Sequence, residues 1–206
     1  MATRSQPAAA PVHAPPTLRN RATRAVRAEI AAVAMRLFVE QGFEKTTVDQ
    51  IAVEAGLSRT SFFRYFATKE DAVLGHLEEL GQQVLDALVA RPAGEPPWQA
   101  LRHAFDLLLE DSAKQPEQGL SMRRMLRDTP SLKARQLGKQ TGWLDLLVPE
   151  VARRLGVDGA APDARPRALA AAALGCLNAA VDVWTDSGGT VSLPALLDQA
   201  MTAVVG

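Results

Sequence analysis

Cysteine, histidine and aromatic residues are scarce in this 206-residue chain, and each shortage removes a class of function. Cys176 stands alone, so no intramolecular disulfide is available, which fits a reducing compartment. His13, His76 and His103 are scattered, with no cysteine or carboxylate arrangement near them that suggests a metal site or catalytic residues. There is no Gly-rich phosphate loop and no nucleophile elbow, so no cofactor is expected. Apolar runs stop short of the roughly 20 residues of a membrane span. The N-terminus lacks the apolar stretch of a secretory signal, so a cytoplasmic protein without membrane association is expected. An excess of one charge is missing too, since 23 Lys/Arg balance 23 Asp/Glu. A nonspecific DNA-binding structural protein depends on neutralising phosphates and fits this neutral balance poorly.

What the chain does have is helical periodicity. Hydrophobic residues make up 47%, enough for one small and one larger domain with buried cores. Between Arg24 and Gln41, Ile30, Ala34, Leu37 and Phe38 fall at i, i+4, i+7 and i+8, and Gly42-Phe43 closes the segment. A second helix carries Val48, Ile51, Ala52 and Ala55 on one face. Thr47 and Gln50 are spaced to form a capping box at its start. Gly56 ends it, Leu57 docks into the core, and Ser58 caps a third helix with Phe62 and Phe66 on one side. The remaining faces of that helix hold Arg59, Thr60, Ser61, Phe63 and Arg64. This set is short, polar and basic at the helix N-terminus, as a recognition helix needs for base edges and phosphates. Thr68 caps a further helix from Lys69, with Glu70 and Asp71 in its first turn.

The run Gly56-Leu57-Ser58-Arg59-Thr60-Ser61-Phe62-Phe63-Arg64-Tyr65-Phe66-Ala67-Thr68-Lys69-Glu70-Asp71 resembles the signature of the TetR family of transcriptional repressors. The motif match covers Arg24 to about Leu77, and beyond it the resemblance is one of helical layout. It implies an all-α homodimer with an N-terminal three-helix helix-turn-helix domain and a C-terminal helical ligand-binding and dimerisation domain. By the same resemblance Thr47, Tyr65 and Lys69 meet phosphates, and Arg59, Thr60, Ser61 and Phe63 meet bases. Arg64 is added from its place on the exposed face. Where many family members carry a phosphate-contacting tyrosine, this chain has Phe63, which has no hydroxyl to donate but can touch a thymine methyl.

Charge agrees with this division. Met1 to Glu70 hold ten Lys/Arg against six Asp/Glu, and Asp71 to Gly206 hold thirteen against seventeen. The basic half carries the motif. Residues 1–20 are rich in Ala and Pro and are expected to be a disordered tail. Residues 21–68 form the DNA-binding domain and 69–206 the second domain. At the end of the tail Arg19, Arg21, Arg24 and Arg27 offer an arm for the DNA backbone or minor groove, or a solvated segment.

Arg91-Pro92-Ala93-Gly94-Glu95-Pro96-Pro97 ends the connecting helix 69–90. Helices then follow over Trp98 to Gln115, Gly119 to Arg127, and Ser131 to Leu155, the last open to bending or division at Gly142 and Pro149. Two more cover Asp163 to Thr185 and a stripe from Leu193 to Val204. The resemblance places the dimer contact on helices 163–185 and 193–205, with Ala172, Ala173 and Ala180 allowing close approach. The alternative is a buried helix in a monomer. Phe105, Leu109, Met122, Met125, Trp143, Leu147 and Leu177 are candidates for an apolar effector pocket, or plain core. Arg123, Arg124 and Arg127 are candidates for an anionic head group. The second domain is similar to actinobacterial TetR-like regulators that sense acyl-CoA-type molecules, in Pro130 to Arg135 and around Trp143 and Trp184. The expected partners are therefore a palindromic double-stranded DNA operator and a small, largely apolar effector. A different class remains in view, an all-helical enzyme or small-molecule-binding protein whose helix-turn-helix is structural. Such a protein would show no DNA binding.

Overall fold

The computed structural model of the chain describes residues 18–114, 116–157 and 161–205. Residues 1–17 of the expected tail lie outside the described residues. Leu18, Arg19 and Asn20, expected in that tail, begin the first helix instead. Among the described residues there are eleven helices and no strand.

Three helices frame the N-terminal domain: α1 (Leu18–Gln41), α2 (Val48–Glu54) and α3 (Arg59–Tyr65). The capping box at Thr47 forms as the spacing requires. The Gln50 amide N–H donates to Thr47 Oγ1 at 3.2 Å, and Gln50 Oε1 accepts from the Thr47 amide at 2.8 Å. Gly56 takes φ +67°, which lets the Leu57 amide return to the Ala52 carbonyl at 2.8 Å and turns the chain into α3. Ser58 Oγ then accepts from the Ser61 amide. Ile30, Ala34, Phe38, Ile51 and Phe62 close the core.

The connecting helix consists of two segments, α4 (Lys69–Leu74) and α5 (His76–Ala90), meeting at Gly75. A Cβ at Gly75 would stand 2.6 Å from the Asp71 carbonyl oxygen and 3.2 Å from the Phe66 ring. The site therefore has no room for a side chain. Ala72, Val73 and Leu74 join the N-terminal core, which extends past residue 68.

The second domain adds α6 (Pro97–Ala104), α7 (Asp106–Lys114), α8 (Pro116–Asp128), α9 (Pro130–Arg154), α10 (Arg165–Asp186) and α11 (Leu193–Val205). The expected helix from Trp98 breaks at fully buried Phe105, whose amide turns back to the Arg102 carbonyl. α9 runs undivided from Pro130 to Arg154, with exposed Gly142 and Pro149 inside it. Arg91 and His103 hold the Glu95 carboxyl down at about 2, Arg91 with two 2.7 Å bonds, and so fasten the α5–α6 joint.

α10 runs between α9 and α11 at the centre of this domain. One expectation is corrected here. By length and composition α10 is apolar enough to cross a membrane, although half of its most apolar window is buried within the domain, as in a core helix. Ala173 and Ala180 are spent on that core, whereas Ala171, Gly175, Ala179 and Val183 stay exposed along one side.

Candidate functional site

Arg59, Thr60, Phe63 and Arg64 of α3 are exposed, while Phe62 is fully buried. Arg59 Nη1 donates to both oxygens of Asp49 on α2, at 2.9 and 2.8 Å. This partner was not singled out from the sequence, because the pair is ten residues apart and both members are solvated. The Arg59 guanidinium also lies 5.6 Å from the centre of the Phe63 ring, and that of Arg64 lies 5.8 Å from the Tyr65 ring. Ser61 is half-buried and shares the Ser58 cap through a 3.1 Å hydroxyl contact. Tyr65 is half-buried against the N-terminal core.

Lys69 stands apart from these residues. Its ammonium donates to the carbonyls of Phe43 at 2.8 Å and Thr46 at 3.2 Å, and sits 4.2 Å from the Phe43 ring centre. Two of its three donors thus fasten α4 to the α1–α2 turn, directly before exposed Thr47. Arg24 pairs with Glu79 at 3.6 Å, and Arg27 stacks 4.7 Å from the Phe66 ring, so these two members of the basic arm are turned toward the protein.

A cavity of about 550 Å³ lies in the second domain beside the N-terminal one. Of the seven pocket candidates, Leu109, Met122, Trp143 and Leu177 line it. Phe105 and Leu147 turn into the C-terminal core, while Met125 packs on the helix-turn-helix core. Periodicity marks an apolar face but does not say which of two cores that face meets. Reasoning from sequence missed the polar wall of His76, Gln136, Gln140 and Asn178. These residues come from α5, α9 and α10, too far apart in sequence to form a motif. Gln140 and Asn178 exchange side-chain hydrogen bonds at 2.8 and 3.2 Å. Trp143 Nε1 donates to the Leu77 carbonyl at 2.9 Å, laying its ring against Gly81, where a Cβ would stand 2.7 Å from that nitrogen. The three arginines of α8 part company. Arg123 lines the cavity, Arg124 is exposed, and Arg127 pairs with Asp186 at 2.6 Å.

The cavity shares walls with the DNA-binding domain. Leu74 and Leu126 both line it and belong to the helix-turn-helix core. Arg135 of α9 grips Asp71 of α4 with two bonds, at 2.9 and 2.7 Å, and Lys139 reaches Glu78 at 2.6 Å. Ala72, Val73 and Leu74 of α4 belong to the same N-terminal core as Phe62 of α3.

Comparison with known proteins agrees with this geometry over both domains. The family described as "Bacterial regulatory proteins, tetR family" matches residues 30–74, and the "MftR C-terminal domain" matches residues 95–206. The transcriptional regulator TcmR of Streptomyces glaucescens is 37% identical over 162 residues, 76% of this chain and 71% of its own. The regulator MftR of Mycobacterium tuberculosis is 32% identical over 179 residues, 85% of this chain and 87% of its own. The crystal structure of Thermus thermophilus FadR, a TetR-family repressor in complex with lauroyl-CoA, has the same fold. It superposes with a TM-score of 0.58 at 24% identity, covering 87% of this chain and 93% of that one. With the helix-turn-helix, the helical second domain and the sequence matches in agreement, the chain belongs to the TetR family of transcriptional regulators and is not an enzyme.

Proposed function

We propose that this regulator is a cytoplasmic repressor that binds a palindromic operator as a homodimer and is released by a small, largely apolar effector. The observation that carries this reading is the shared wall between cavity and DNA-binding core at Leu74 and Leu126. A ligand that fits only one placement of α4 and α5 favours one spacing of the two recognition helices, and operator affinity follows. FadR was crystallised with an acyl-CoA, which supports a ligand with a long apolar part.

Dimerisation is supported by the side of α10 formed by Ala171, Gly175, Ala179 and Val183, and by exposed Val204 and Val205 of α11. Small residues let two such helices approach closely, and two recognition helices about 34 Å apart read half-sites one DNA turn apart. Sedimentation of the DNA-free protein should give twice the chain mass; a monomer at micromolar concentration contradicts this part of the reading.

In this reading Arg59, Thr60, Ser61 and Phe63 face bases, and Thr47, Arg64, Tyr65 and Lys69 face the backbone. Arg59 must leave Asp49 to reach a base, exchanging one exposed partner for another. Arg59→Ala is expected to cost about 1–3 kcal/mol at one operator position and to relax the preference there. Equal losses on every sequence would make it a phosphate contact. Lys69→Ala is expected to weaken binding to all sequences and to reduce the salt slope by about 0.9, the value of one phosphate contact. An unchanged slope with lowered stability would confine Lys69 to its two carbonyls.

A further inference from the structure

One charge in the cavity has no answer among the described residues. Arg123 lines the cavity from α8, half-buried, and among the described residues no hydrogen bond or ion pair holds it. Desolvation pushes its pKa below the ordinary arginine value, and exposed Asp182 on α10 offsets this only by attraction at a distance. Arginine does not shed its proton in a protein, so the cation persists where it is partly desolvated. The other ionisable groups at the cavity do not relieve it. Glu79, which also lines the cavity, is engaged by Arg24 at 3.6 Å. Desolvation, followed by the nearby Arg123 charge among lesser causes, lowers the His76 pKa.

A single persistent cation beside neutral amides and an apolar wall describes the complement of a singly charged amphipathic ligand. A guanidinium binds a carboxylate through two parallel hydrogen bonds. A phosphate monoester would bring a second charge, for which no second Lys or Arg lines the cavity among the described residues. The thioester carbonyl of an acyl-CoA is neutral at the corresponding point of its chain and offers Arg123 no carboxylate. Resting on the reading of this cavity as the effector site, we infer that the effector is an amphipathic organic acid, its free carboxylate bound by Arg123 and its apolar body against Leu109, Trp143, Leu177 and Val181. A cavity of about 550 Å³ accommodates a drug-sized molecule.

The test uses the full chain with three probes, dodecanoate, dodecanol and lauroyl-CoA, titrated by calorimetry into the wild type, R123Q and R123K. Wild type should bind dodecanoate about 10- to 100-fold more tightly than dodecanol, the factor of one charge-assisted hydrogen-bonded contact. R123Q should bind the two alike, and R123K should keep part of the preference. Ligand-free R123Q should melt no lower than wild type, because no partner is lost. A lower melting temperature would reveal a structural role for Arg123 and overturn the inference. So would equal wild-type affinities for acid and alcohol, an acid preference that survives in R123Q, or binding of none of the probes. Operator binding measured alongside separates the two readings. If dodecanol or lauroyl-CoA binds and releases operator while dodecanoate does not, the effector-site reading stands and the acid inference alone falls.

Discussion

Replacing Arg154 with methionine is expected to destabilise the second domain by about 3–5 kcal/mol, lowering its melting temperature by on the order of 10 °C. The Arg154 side chain is fully buried and makes four bonds. Nη2 donates to the Leu88 carbonyl at 2.6 Å and the Arg91 carbonyl at 3.0 Å, Nη1 to the Pro92 carbonyl at 2.9 Å, and Nε to Glu150 at 2.9 Å. It thereby caps the C-terminus of α5 from the last turn of α9. Methionine fills much of the same volume but takes one donor from each of those carbonyls, leaving Leu88 and Pro92 with only the amides of Arg91 and Glu95, and leaves Glu150 with Arg153 alone, at 2.7 and 2.6 Å. Arg154→Lys should rescue only part of the loss, since an ammonium keeps the charge without the planar fork. Thermal unfolding followed by circular dichroism checks both variants. A loss below 1 kcal/mol would mean that the α5–α9 contact holds without the cap.

A second pair of substitutions separates the two faces of α3. Phe62 is fully buried and Phe63, its neighbour, is 44% exposed. Phe62→Ala should cost about 3–5 kcal/mol and abolish operator binding, because the cavity left under α3 removes the support of the recognition helix. Phe63→Ala should leave stability within about 0.5 kcal/mol and weaken only operator binding. Melting temperature and DNA affinity, measured on both variants, check the assignment. If Phe63→Ala were the destabilising one, the face assigned to DNA would be a packing surface instead.

The N-terminal domain was largely legible in the sequence because local chemistry decides it. Thr47 with Gln50, Gly56 with Leu57, and Ser58 with Ser61 each make their bonds within a few residues of themselves. The breaks at Gly75 and Phe105 were not legible. Gly75 is set by the close approach of the Asp71 carbonyl, Arg27 and the Phe66 ring, and Phe105 by burial in the second core. The cavity was legible only in part. Leu109, Met122, Trp143 and Leu177 could be picked as large apolar residues, but Phe105 and Leu147 share that description and face the core. On helices apolar round most of their circumference, the choice between core and cavity is made by tertiary packing. The anchoring of Lys69 was hidden for a similar reason, since carbonyl acceptors 23 and 26 residues away leave no trace in side-chain pattern.

The central claim, a regulator that reads DNA through α3, is tested most directly by selection. The purified protein is offered a pool of random duplexes, and the bound fraction is sequenced after several rounds. The account predicts enrichment of an inverted repeat whose half-sites lie about one helical turn apart, with the enrichment lost in Phe62→Ala. A folded, helical protein that enriches no sequence would contradict it.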